Sequence, residues 1–202
     1  MNIHEANRSR FNLPLRRIAK KFVFRLIYGG QAYSYAHDPE FMGVSKSVEF
    51  WQDIVDEFYK KYKGIKVWHE SLVRTVVNSG SLTMPTGRTF VWDRRDVVQR
   101  LWYHTPKILN YPVQGTGADL VAIGRVTAWK RLRAAGIPVI FQSTVHDSID
   151  IDTKEEYNIG VVKIVRESIR AIPHNFERLF NKPFDLPLDS EIIVGNRLSE
   201  AS

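Results

Sequence analysis

The chain has 202 residues, 44% of them hydrophobic and 25% charged, which excludes bulk disorder and allows one domain or two small interlocked ones at about 150 residues per domain. It has no cysteine, which excludes disulfides, thiolate nucleophiles and cysteine zinc sites, and its net charge of +7 favours an anionic partner, nucleic acid before a membrane surface. No apolar run approaches the roughly 18 residues of a membrane span, and the polar start MNIHEANRSRF lacks the apolar centre of a signal peptide, so a soluble, cytoplasmic protein without a membrane partner is expected.

Residues 1–15 are polar and read as an arm or entry loop. Leu15 to Tyr28 lacks Gly and Pro and is predicted helical, with Gly29-Gly30 as its stop. A second helix is predicted over Ser47–Lys63, where Val48, Trp51, Ile54, Val55 and Phe58 recur at helical spacing before Gly64. Residues 66–78 read as helix, and 80–92 as a β-hairpin turning at Pro85-Thr86-Gly87. A long helix is predicted over 112–135, closed by Gly136 and Pro138. Two short strands, Val139–Val145 and Ile149–Asp152, flank His146-Asp147-Ser148. Residues 154–171 read as helix ending before Pro173, and Leu186–Val194 as a last strand. The pattern predicts an α+β fold, a helical part with a small antiparallel sheet.

Arg16, Lys20, Phe24 and Tyr28 are spaced by four, so they share one broad stripe of a helix. Two cations followed by two rings can hold a triphosphate at one end and a base and sugar at the other; a surface helix with snorkelling cations and two buried rings fits the same spacing. Asn110 and Gln114 form a second pair four residues apart. Their amides both donate and accept, which suits the acceptor-rich minor groove of DNA, or else they are a helix cap and a surface amide. His146-Asp147-Ser148 sits where a tight hairpin tip would hold a carboxylate rigid and exposed, as a Mg²⁺ ligand requires; an Asp there can equally be a turn former. The remaining histidines (4, 37, 69, 104 and 174) show no zinc spacing and read as structural.

The string RRIAKKFVFRLIYGG (16–30) resembles motif B of the family A DNA polymerases, R-x3-K-x3-F/Y-x3-Y-G on the O helix of the fingers. The resemblance implies that Arg16 and Lys20 hold the phosphates of an incoming deoxynucleoside triphosphate, with Lys20 also serving catalysis. It implies that Phe24 lines the sugar side of the pocket and that Tyr28 stacks near the template base. NYPVQGTGADL (110–120) resembles the Q helix, implying that Asn110 and Gln114 check the primer-terminal pair from the minor groove. Pro106 stands where the family often has an Arg, and Lys107 beside it would offer part of that charge to DNA. TVHDSIDI (144–151) resembles motif C, V-H-D-E, which implies that Asp147 is a catalytic metal ligand and that His146 faces the primer strand. Ser148 replaces the usual Glu. The segments TMPTGR, HDPEFMG and FWQDIVDEFYKKYKG look like phage members.

The three motifs stand in family order, and the resemblance covers about residues 14–198. It implies an N-terminal arm (1–15), fingers (16–106) and distal palm (107–202). It also implies a DNA primer–template, deoxynucleoside triphosphates and two Mg²⁺ ions as partners. Motif A, D-Y-S-x-I-E, has no counterpart among the 15 residues before Arg16. The expectation is therefore one chain of a split polymerase, inactive until a second chain supplies motif A and the thumb. The rival expectation is a non-catalytic nucleic-acid-binding scaffold that keeps the fold.

Overall fold

The structure, a computed structural model, describes residues 3–197. It is α+β, with helices predominating and two separate two-stranded antiparallel sheets. Two compact units are defined: one runs to Thr83 and includes Thr89–Val113, and the other comprises Met84–Arg88 and the residues from Gln114 onward.

In the first unit, α1 (Ile3–Arg10) and α2 (Arg16–Ile27) open the chain. The stretch expected to be an arm is thus helical. The buried side chain of α1 is polar: the Asn7 amide oxygen accepts from the Tyr62 hydroxyl at 3.2 Å and from Lys61 Nζ at 3.4 Å. A hydrophobic pattern cannot reveal a helix held this way. In α2, Ile18, Ala19, Phe22, Val23 and Leu26 are buried. The α2 helix ends where Gly29 takes φ +85°, a conformation that L side chains rarely adopt. A Cβ on Gly30 would lie 2.6–2.8 Å from Arg25 Cγ, the Tyr35 hydroxyl and the Arg25 carbonyl oxygen, so the Gly-Gly pair serves both the stop and the close packing behind it.

Two short helices follow, α3 (Ala32–Ala36) and α4 (Pro39–Met42). The next helix, α5 (Val48–Lys61), is capped by Ser47, whose hydroxyl accepts the Phe50 N–H at 3.0 Å. Phe11, Phe22, Tyr35, Phe41, Trp51 and Phe58 form the core between these helices. Ring pairs such as Phe22–Tyr35 (5.0 Å) and Phe41–Trp51 (5.5 Å) lie at the separations aromatic side chains favour. The two polar tips are satisfied inside: the Tyr35 hydroxyl donates to the Phe22 carbonyl (3.1 Å) and Trp51 Nε1 to the Ser45 carbonyl (3.0 Å). Truncating one such ring would cost about 3–5 kcal/mol. Then come α6 (Lys63–Ser79), the hairpin β1 (Ser81–Thr83) and β2 (Thr89–Val91), and α7 (Arg94–Gln99).

The long helix α8 (Leu101–Ala134) starts eleven residues before the expected position of 112 and contains Pro106 and Pro112. Each proline removes one amide donor, a penalty that normally ends a helix. Here burial of Ile108, Leu109 and Pro112 carries the helix through.

In the second unit, β3 (Val139–Val145) and β4 (Ser148–Thr153) form a hairpin with an irregularity between Phe141 and Ser143. A 3₁₀ turn (Glu155–Tyr157) leads into α9 (Asn158–Arg170), and α10 (Ile172–Phe180) follows. The α9 helix ends at Arg170, before Pro173 as expected, and that proline sits in the first turn of α10, where a missing N–H costs nothing. Ala128, Leu132, Val161, Ile172 and Phe176 are the buried apolar residues here. Leu186–Val194 forms no strand. Its β-favouring residues have no ladder to join among the described residues, and a strand exists only by pairing. Among the described residues no helix is long and apolar enough to cross a membrane.

Candidate active site

The helical part of the site is the exposed side of α2. Arg16 and Lys20 are exposed, Phe24 is 43% exposed and Tyr28, the C-cap residue, is half-buried. Lys20 Nζ lies 5.8 Å from the Phe24 ring centroid, within cation–π range. The alternative of two buried rings therefore fails for Phe24, whose ring stands in solvent beside the ammonium. The helix is held on its other flank by Arg25, which pairs with Asp38 at 2.7 Å and lies over the rings of Phe41 (5.0 Å) and Tyr35 (5.7 Å). Lys21 pairs with Glu40. The Arg25 guanidinium and the Glu40 N–H hold the Asp38 carboxyl below the usual range.

One residue of this constellation was not legible in the sequence. The His4 ring, on α1, lies 5.8 Å from that of Phe24. Its pKa is lowered by burial first, and then by Arg16 and Lys20. His4 thus joins two cations and an exposed ring at one place. Its only signal would have been the α1 helix itself, which residues 1–15 did not reveal.

On α8, Asn110 is half-buried and Gln114 exposed, one turn apart. The helix-cap alternative for Asn110 fails, since α8 begins nine residues earlier, at Leu101. Lys107 Nζ lies 4.1 Å from the Tyr103 ring centroid and bonds to the Tyr103 hydroxyl, which lowers that group's pKa. Asp96 accepts from Arg100 and from His104 Nε2, the latter at 2.7 Å, and its carboxyl is held below its usual range by those two bonds, Arg100's first.

In the second unit, His146 and Asp147 are the two-residue tip of the β3–β4 hairpin, between the paired Val145 and Ser148. His146 takes φ +53°, uncommon outside glycine, and both tip residues are exposed. Asp147 forms no ion pair among the described residues. The Ser148 hydroxyl donates to the Val145 carbonyl at 3.0 Å and so closes the turn instead of facing outward. Ser143 donates to Asp150, its partner in the register, which ties that carboxylate to the sheet face. The described residues contain no group of three or more His, Asp or Glu arranged to hold a metal. Asp147 is the exposed carboxylate at the tip of this hairpin.

The α+β chain thus presents an exposed cation-and-ring helix in one unit and an exposed His-Asp hairpin tip in the other. The family model for DNA polymerase family A matches residues 1–200, and the chain belongs to that family. It is 31% identical over 186 residues to DNA polymerase I of Aquifex aeolicus, covering 90% of this chain and 29% of that protein. It is 30% identical over 154 residues to the DNA polymerase of Mycobacterium phage D29, covering 76% of this chain and 23% of the relative. The chain therefore spans less than a third of these relatives. The POL domain of Pol1 from M. smegmatis, in complex with DNA primer–template and dNTP, shares the fold at TM-score 0.71 with 21% identity, over 86% of this chain and 29% of that one.

Proposed function

We propose that this chain is the C-terminal catalytic part of a template-directed DNA polymerase, with fingers at 16–106 and distal palm at 107–202. The observation that carries the reading is the exposed Arg16–Lys20–Phe24 stripe of α2. Arg16 and Lys20 bind the phosphates of the incoming deoxynucleotide by charge-assisted hydrogen bonds. Lys20 offsets charge that develops on the leaving pyrophosphate. Phe24 packs against the sugar and Tyr28 closes the base side. His4, beside Lys20 and Phe24, adds a donor to the phosphates when protonated. Asn110 and Gln114 read the primer-terminal pair, and His146 and Lys107 contact the DNA backbone.

Two Mg²⁺ ions, when bound, activate the primer 3′-hydroxyl and stabilise the leaving oxygen. Asp147 is the residue of this chain that would hold them. One carboxylate would not by itself hold two dications against their mutual repulsion. The second ligand, and the thumb, then come from sequence outside these 202 residues. The setting is the cytoplasm, where template and nucleotides are.

The test is primer extension with Mg²⁺ and all four deoxynucleotides. The 202-residue chain alone is expected to give none, and addition of a motif A chain to give activity. Asp147→Ala is expected to abolish extension while primer–template binding persists. Extension by the purified 202 residues alone would overturn the need for sequence outside them. Binding that persists with no extension in any combination would favour the non-catalytic scaffold.

A further inference from the structure

The tip of the β1–β2 hairpin is fastened to α8. The Thr86 hydroxyl donates to Asp119 Oδ2 at 2.6 Å, and Arg88 donates to the same carboxylate through Nε (3.3 Å) and Nη2 (2.5 Å). The loop is shaped for this: Met84 N–H donates to the Arg88 carbonyl, Gly87 N–H to the Met84 carbonyl, and Gly87 takes φ +85°. The Asp119 side chain is 16% exposed. Burial pushes its pKa up, but Arg88 and Thr86 outweigh burial and hold it below the usual carboxylate range. Both oxygens of one carboxylate are thus used by one loop.

The placement on α8 gives the clasp its meaning. Between Gln114 and Asp119 the helix reads Gly-Thr-Gly-Ala, and Pro112 lies just before. Glycine is the weakest ordinary helix former and proline withholds an amide donor. A Cβ on Gly117 would meet nothing within 4 Å, so packing there does not explain the glycine. The turn that carries Gln114 is intrinsically loose, and the fastening lies one turn beyond it.

We propose that Arg88 and Thr86 are positioning residues: their clasp on Asp119 holds the Gln114 turn of α8 in the conformation that distinguishes a matched from a mismatched primer end. This rests on the polymerase reading of Gln114.

The experiment compares Arg88→Ala, Arg88→Lys and the exchange Arg88→Asp with Asp119→Arg, each against wild type. Two readouts are used: amide hydrogen exchange over residues 113–120, and the ratio of affinities for matched and mismatched primer–templates without catalysis. Arg88→Ala is expected to speed exchange about tenfold in that segment alone, as a local opening does. It is also expected to lower the matched-to-mismatched ratio about fivefold, with Arg88→Lys intermediate and the exchange restoring the ratio. Unchanged hydrogen exchange would overturn the clasp. Faster exchange with an unchanged ratio would overturn the positioning role. A wild type that binds no primer–template would instead count against the polymerase reading, while the exchange data would still decide the clasp.

Discussion

At position 24 the protein presents a ring without a hydroxyl, 43% exposed and beside Lys20. If Phe24 lines the sugar side of the pocket as proposed, a tyrosine there would place a hydroxyl where a dideoxynucleotide lacks its own. Phe24→Tyr is therefore expected to raise dideoxynucleotide incorporation in the assembled enzyme about tenfold or more while ordinary extension survives; chain-terminator assays measure it. His4 allows a second forecast. Its folded pKa lies below 6.5 through burial, Arg16 and Lys20. A bound triphosphate would cancel those charges and raise it, so binding takes up protons and tightens as pH falls through the range between the two values. One full proton is tenfold per pH unit, and partial uptake about threefold. His4→Gln is expected to lose that excess slope; calorimetric nucleotide titrations between pH 8 and 6 check it, and equal slopes would refute it.

At the scale of elements, the junction after α2 is the most constrained point. Gly30→Ala would bring a methyl within 2.8 Å of the Arg25 carbonyl oxygen, which is backbone and cannot swing away. A loss of about 1–3 kcal/mol is expected by overpacking, read as a lower midpoint in urea. This junction was legible in the sequence because Gly-Gly after a helical run is an explicit stop. The start of α5 was legible too, through Ser47 and its apolar spacing, but not its end: α5 stops at Lys61, and Gly64, expected to follow the helix, lies in the first turn of α6. The start of α8 was not, since Pro106 and Pro112 signal an end that tertiary burial overrides. Nor was α1, whose buried residue is an asparagine with its amide oxygen accepting from Lys61 and Tyr62, 54 and 55 residues away. Arg16, Lys20 and Phe24 could be found because one helix sets their spacing. His4 could not, because its neighbours come from another helix.

For the whole molecule, the surplus of seven positive charges bears on DNA binding. If six to ten phosphates are neutralised, affinity for primer–template is expected to fall about 10³–10⁵-fold between 50 and 200 mM salt. Fluorescence anisotropy across that range measures the slope, and a flat response would count against a DNA-facing surface.

The β3–β4 hairpin has a consequence for handling the protein. It is a two-stranded sheet, so each strand keeps one edge without a strand partner among the described residues. Val139–Val145 contains no charged residue, and Ile140 and Val145 are 61% and 54% exposed. Uncharged, β-favouring segments with open edges template the addition of like segments from other molecules. The purified chain is expected to self-associate with rising concentration, through β3 first, and to show it by light scattering and thioflavin fluorescence. A charge placed on that strand, Gln142→Lys, is expected to suppress the effect without altering the melting temperature by more than about 2 °C. Solubility of the isolated chain would then be governed by the same hairpin that holds Asp147 at its tip.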